Sequence, residues 1–200
     1  TLTDERFVDD VTAFLAEYHL VRRGRINSLA QTTLLLTCPG VADVYQGTEI
    51  WDLSLVDPDN RRPVDYELRR SLLSDLKRGM TPEEVLARMD DGLPKLWLIH
   101  QGLQLRRRSP EAFGPAGAYE PLRATGPRAE HVVAFLRGGA VAAVAPRLPL
   151  RLQGDWQGTT LELPPGSWRD ELTGEESEGG LRPVSDLLAR FPVALLARST

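Results

Sequence analysis

Apolar residues follow two different spacings along the chain, and the change from one to the other divides it. Phe7, Val8, Val11, Phe14, Leu15 and Tyr18 recur at three- and four-residue intervals. That spacing predicts a helix with one apolar face, for which residues 1–4 (Thr1-Leu2-Thr3-Asp4) form a capping stretch. Val21-Arg22-Arg23-Gly24-Arg25 interrupts the pattern, so a break is expected at Gly24. A second helix then starts at about Ile26, carries Leu29, Ala30, Thr33, Leu34 and Leu36, and stops at Pro39-Gly40. Asp65 is placed to cap a third helix that turns Leu68, Leu72, Leu73 and Leu76 to one side and ends near Gly79. Thr81-Pro82-Glu83-Glu84 combines a cap, a proline at the first helical position and a glutamate three residues after the cap, which predicts a short helix ending by Asp90-Asp91-Gly92. The last helix, about 94–108, turns Leu96, Trp97, Ile99 and Leu103 inward and ends on Arg106, Arg107 and Arg108. Cations are favoured at a helix C-terminus, so a solvated cap is their expected role, with phosphate binding the sharper alternative.

Helical periodicity stops at Ser109-Pro110, and proline and glycine are dense as far as Pro127. Beyond this, short apolar or alternating runs occupy 131–136, 140–145, 148–152, 159–163, 167–170 and 193–197, separated by Gly-Gly, Gly-Asp, Pro-Pro-Gly and Thr-Gly turns. Short strands at such spacing predict an antiparallel sandwich of Greek-key type, with Trp156 and Trp168 in its core. Residues 186–190 fit a helical turn as well as a strand. The fold class is therefore α+β, with a boundary that separates 1–110 from 111–200.

The densest chemistry lies in 39–66. A Pro-Gly turn and a short apolar run precede Tyr45-Gln46-Gly47-Thr48-Glu49-Ile50-Trp51-Asp52, and Asp57-Pro58-Asp59-Asn60-Arg61-Arg62-Pro63 follows. This is the pattern of a buried strand ending in a long functional loop, 46–65. Tyr45 and Trp51 offer flat faces to the C–H surface of a sugar, Gln46, Glu49, Asp52, Asp57, Asp59 and Asn60 offer acceptors, and Arg61 and Arg62 offer multi-donor forks. A polyhydroxylated ligand suits that set. The plainer reading makes 57–60 a turn, with the two arginines as its salt-bridge partners.

Composition narrows the classes. The 200 residues are 42% hydrophobic and 26% charged, as in an ordinary globular chain. A net charge of -4 and a pI near 5.5 argue against nucleic acid as a partner, because phosphate neutralisation needs a basic face. The cations are nearly all arginine, with Lys77 and Lys95 the only lysines. Cys38, the sole cysteine, ends an apolar run and reads as a small buried hydrophobe, while His19, His100 and His131 share no ligand spacing. No cofactor, metal or membrane partner is expected. A cytoplasmic location is the default, since no stretch has the length and apolarity of a membrane span or a signal peptide.

Pro39-Gly40-Val41-Ala42-Asp43-Val44-Tyr45-Gln46-Gly47-Thr48-Glu49-Ile50 resembles the end of the catalytic barrel in the alpha-amylase superfamily, glycoside hydrolase family thirteen, where such a turn leads into the eighth strand. The run from Trp51 through Asp57-Pro58-Asp59-Asn60-Arg61-Arg62 to Tyr66 narrows the resemblance to the maltooligosyl trehalose synthases, which are (1,4)-alpha-D-glucan 1-alpha-D-glucosylmutases. Arg25-Ile26-Asn27-Ser28, Lys95-Leu96-Trp97-Leu98, Val144-Ala145-Pro146-Arg147 and Trp168-Arg169-Asp170-Glu171 extend it over nearly the whole chain. The resemblance implies the last strand and helices of a (β/α)8 barrel followed by a C-terminal sheet domain, with the remaining barrel upstream. A complete barrel needs about 250 residues, so the chain, which begins at Thr1 without a methionine, is expected to be a fragment. It further implies a maltooligosaccharide substrate, a partner in the missing N-terminal barrel portion, and substrate contacts from Tyr45, Gln46, Glu49, Asp52, Asp57, Asp59, Arg61 and Arg62. No catalytic residue is expected here, because the family's Asp nucleophile and Glu acid/base precede the eighth strand. Two other functions fit the residues: a small alpha-glucan hydrolase using a pair among Asp52, Asp57 and Asp59, and a noncatalytic carbohydrate-binding module presenting Trp156 and Trp168.

Overall fold

The structure, a computed structural model, describes residues 3–199. Thr1 and Leu2 of the expected capping stretch lie outside the described residues, as do the side chains of Asp57 and Asn60. Helix α1 (Glu5–Glu17) is capped by Asp4, whose carboxylate accepts from Phe7 N at 3.3 Å. Helix α2 (Leu20–Thr37) runs straight through Gly24, and the break falls at His19, where φ is +49°. An exposed helical glycine costs only about 1 kcal/mol relative to alanine, too little to end a helix whose later turns bury Leu29, Ala30, Thr33 and Leu36. The buried hydroxyls of Thr33 and Thr37 donate to carbonyls one turn back, Leu29 O at 2.9 Å and Thr33 O at 2.6 Å.

The next caps form as expected. Asp65 accepts from Leu68 N at 2.9 Å to start α3 (Tyr66–Lys77), and Thr81 and Glu84 make a reciprocal capping box at the start of α4 (Pro82–Ala87). Helix α5 (Leu93–Arg108) buries Leu96 and Ile99, but Leu103 is exposed and Leu98 and Leu105 are buried instead. The helix is wedged between other elements, so its buried face is wider than a single stripe. At Gly102 a Cβ would come within 2.7 Å of Leu36 Cδ1, so the missing side chain is what lets α5 lie against α2. Two of the three terminal arginines do more than form a solvated cap, while Arg107 is exposed. Arg106 donates to Leu36 O at 2.7 Å, satisfying a carbonyl at the end of the neighbouring helix, and Arg108 pairs with Glu171.

After the short helix α6 (Pro110–Phe113) the strands are β1 (Tyr119–Leu122), β2 (Ala124–Thr125), β3 (Val132–Arg137), β4 (Val141–Pro146), β5 (Thr160–Asp170), β6 (Glu176–Pro183) and β7 (Ala194–Arg198), with helical turns α7 (Pro149–Leu152) and α8 (Val184–Leu187) between them. Their order is β1-β3-β4-β7-β5-β2, every pair antiparallel, with β6 on the other side of β5. Two facing sheets were expected; one nearly closed sheet is found. The physical reason is that Arg123 alone separates β1 from β2, so the chain that pairs with β3 passes directly to β5 and joins the two ends. The run 148–152 is a helical turn rather than a strand, and 159–163 and 167–170 merge into the single bulged strand β5. Residues 41–45 form no strand, because among the described residues no other strand lies beside them to complete a ladder.

All of β4 is buried, and its alternation separates two cores. Val141, Ala143 and Ala145 join the helical core with Leu29, Leu36, Leu98 and Leu105, whereas Ala142 and Val144 face the inside of the curled sheet with Leu161, Leu163, Trp168 and Leu196. The helices and the sheet thus share one packed layer.

Asp170 sits where β5 turns toward β6, almost wholly buried. Its carboxyl accepts from Leu172 N at 3.0 Å, Leu195 N at 3.4 Å and Thr173 Oγ1 at 3.2 Å, tying the turn to β7. Burial pushes its pKa up to about 7, with those hydrogen bonds pulling the other way. The folded pKa exceeds the unfolded one, so the contribution is fully present below about pH 4 and is lost as pH rises through 7. Denaturant melts should therefore show stability falling between about pH 4 and pH 7, by up to a few kcal/mol, and Asp170→Asn should flatten that slope. A slope equal in wild type and variant would contradict the account. Trp168→Ala, which empties the centre of the curled sheet, should cost about 3–5 kcal/mol in the same melts.

Candidate functional site

The 46–65 loop is built from three local knots. In the first, Glu49 Oε2 accepts from Gly47 N at 3.0 Å and from Arg69 Nε at 2.8 Å, while Arg69 also donates to Gly47 O and to Asp65 O, the latter at 3.0 Å. Gly47 has φ +92° with Val64 and Arg69 against the place a Cβ would take, so a side chain there would be both strained and crowded. Tyr66 OH donates to Gln46 Oε1 at 3.1 Å and closes the knot from α3. Glu49 is thus a brace, half-buried behind the loop.

The second knot is Asp52, which accepts from Ser54 N at 2.9 Å and Ser54 Oγ at 2.6 Å. The serine hydroxyl, then its backbone N–H, lower the Asp52 pKa, and Lys95 and Arg69 add to this. The third is a 3-10 turn, Asp57–Arg61. Asp59 Oδ2 accepts from Leu55 N at 3.1 Å and Val56 N at 3.4 Å, and its Oδ1 takes Arg62 Nη2 at 2.6 Å. The Leu55 and Val56 N–H groups, with Arg62 contributing less, hold Asp59 below the usual carboxylate range. The turn reading of 57–60 and the pairing of Asp59 with Arg62 are both realised. Arg61 is exposed on the same turn.

A general acid needs a raised pKa, and Asp52 and Asp59 are both shifted down by donors. They are built to stay ionised and accept hydrogen bonds. The two tryptophans of the binding-module reading also part company: Trp168 is fully buried with its Nε1 donating to Pro164 O at 2.9 Å, while Trp156 stays half-buried. Trp51 is not a free platform either, since its indole packs on the helical core, donates to Met89 O and carries Arg25 at 5.9 Å.

A cleft of about 430 Å³ opens between α2, residues 43–48 and α5. Tyr45 is the one predicted site residue that lines it, beside Asp43, Gln31, Thr48 and Lys95. Lys95 was missing from the sequence-based set. Its Nζ donates to Ile50 O at 3.2 Å, and burial pushes its pKa down while Asp52 and Glu49 oppose the shift. The available signal was a lysine, one of only two, set among the inward-facing residues of a helix. Among the described residues no group of three or more His, Cys, Asp or Glu is placed to hold a metal ion, and no helix is long and apolar enough to cross a membrane.

Arg69→Met should leave Glu49 half-buried without its partner and loosen the loop. Limited proteolysis within 46–56 should accelerate several-fold while global stability falls by about 1–3 kcal/mol. Unchanged cleavage would show that the brace does not hold the loop.

No family model matches the chain. Curated proteins from two strains of Mycobacterium tuberculosis, provisionally named maltooligosyl trehalose synthase, are 44% identical over 196 residues, covering 98% of this chain and 23% of theirs. The solved structure of maltooligosyltrehalose synthase from Arthrobacter ramosus matches with a TM-score of 0.79 and 44% identity, over 98% of this chain and 24% of that one. A single-site mutant of the same enzyme matches with a TM-score of 0.85 and 43% identity, over 98% and 25%. The chain spans about a quarter of the length of these relatives.

Proposed function

We propose that this chain, homologous over 98% of its length to the C-terminal portion of maltooligosyl trehalose synthases, is the corresponding part of such an enzyme. In this reading, residues 1–110 are the end of a (β/α)8 catalytic barrel, with 41–45 as its eighth strand, and 111–200 are the C-terminal sheet domain. Exposed apolar side chains support it. Val41, Leu53 and Leu55 are each about nine-tenths exposed, and α1 buries none of its apolar residues, surface that a larger body would cover. A cytoplasmic location belongs to the same reading, and the unpaired thiol of Cys38 is compatible with it.

The reaction is conversion of the reducing end of a maltooligosaccharide into an alpha,alpha-1,1-linked trehalose end by a retaining, intramolecular glucosyl transfer. A carboxylate nucleophile and a general acid upstream would cleave the terminal alpha-1,4 bond, and the released end would return as the acceptor. That sequence requires the released sugar to stay in place and water to stay out. The observation that carries the role of this chain is the Asp59–Arg62 pair on its turn: an ionised acceptor and a guanidinium, oriented before any ligand arrives. With Tyr45, Gln46, Asp52, Asp57 and Arg61, and with Glu49 bracing it from behind, it forms part of the wall that holds the sugar.

The test is incubation with maltopentaose, alone and after mixing with a separately expressed upstream barrel portion. Silence alone and loss of reducing ends on mixing is the expected result; glucose release by this chain alone would overturn it. In the mixed enzyme, Asp59→Asn should loosen the wall and raise the ratio of glucose release to reducing-end loss about tenfold. An unchanged ratio would remove the turn from the site.

A further inference from the structure

A second groove lies away from the loop, where the start of α2 meets α7 and the segment that follows it. It encloses about 330 Å³ and is lined by His19, Arg22, Arg23, Gln153 and Trp156 around an apolar floor that includes Pro149. Among the described residues, neither the Arg22 nor the Arg23 guanidinium has an ion pair or side-chain hydrogen bond, and no carboxylate lines the groove. The adjoining hollow is different. Arg22 borders that hollow too, but there Asp90 is taken by Arg25 at 2.6 Å, and Arg190 pairs with Glu83 at 2.7 Å. In a chain with net charge -4, two adjacent unneutralised arginines are an electrostatic arrangement that an anion would complete.

Backbone strain gathers at the same place. The non-glycine residues with positive φ among those described are His19, Leu148, Gln153 and Gln157, at 49°, 53°, 53° and 48°. His19 and Gln153 line the groove, and Leu148 and Gln157 adjoin its Pro149 and Trp156. Each such residue costs about 1–2 kcal/mol, and strain of this kind concentrates where a surface has a task beyond folding.

We propose that this groove binds a phosphate ester carried on a ring, with Arg22 and Arg23 on the phosphate and the indole of Trp156 against the ring. A neutral glucan fits less well, because its hydroxyls must donate as well as accept and the groove supplies no carboxylate to receive them. Two sources share the favoured chemistry, a sugar phosphate and a mononucleotide.

Calorimetric titration of this chain with glucose 6-phosphate and with adenosine monophosphate, against glucose, maltotriose and inorganic phosphate, tests the site and identifies the source. At least one ester should bind about tenfold or more tightly than any comparator, and more weakly as salt is raised. The double variant Arg22→Gln/Arg23→Gln alters side chains with no partner to lose, so it should keep its melting temperature while ester affinity falls about tenfold or more. Trp156→Leu should reduce the ester to the affinity of inorganic phosphate. Failure of both esters to saturate, equal binding of maltotriose, or unchanged affinity in the double variant would overturn the proposal.

Discussion

Strand β4 has no side that faces water, and the rest of the architecture follows from that constraint. One row of its side chains belongs to the helical core and the other to the inside of the curled sheet. Alternation between apolar and polar, the usual mark of a strand with one wet face, is therefore impossible there. The residues are small, Val141-Ala142-Ala143-Val144-Ala145, so α2 can lie close over the strand on one side while Trp168 fills the space on the other. Opening either face would expose apolar surface belonging to both cores at once, which binds the helical part and the sheet part into one structure.

The loop over the helical layer is organised by a different force. Its carboxylates are satisfied by neighbours only a few residues away: Asp52 by Ser54, and Asp59 by Leu55, Val56 and Arg62. Glu49 reaches further, through Arg69 on α3. Local donors hold Asp52 and Asp59 ionised before a ligand arrives, so that part of the loop is suited to positioning polar groups and unsuited to donating protons. Asp170 shows the opposite arrangement in the same chain. Its three donors do not outweigh burial, and its charge is disfavoured near neutrality. Depth, more than hydrogen-bond number, separates the two behaviours.

Much of this was legible in the sequence because it is local. The Asp65 cap, the Thr81–Glu84 capping box, the stop before Pro39-Gly40 and the turn at 57–60 each depend on side chains within a few residues of the backbone they satisfy. The runs that became β3, β4 and β7 were visible from their apolar content, and the 39–66 stretch was recognisable from its density of polar and aromatic groups. Strands β1, β2 and β6 were not visible. β1 and β2 fall in a proline- and glycine-rich stretch, and β6, Glu176-Ser177-Glu178-Gly179-Gly180, is polar because only one of its edges is paired and it contributes little to either core.

What the sequence by itself determined was therefore the set of elements whose signals are local, the likeness to one enzyme family, and the segment where the chemistry concentrates. Only the tertiary structure decided that the sheet closes on itself across Arg123, that Gly24 is passed over while the chain breaks at His19, that Arg106 serves α2 rather than its own helix, and that Lys95 stands beside Tyr45 in the cleft. Each of these turns on contacts between residues distant in sequence, where burial and shape complementarity outweigh the roughly 1 kcal/mol preferences that local patterns express.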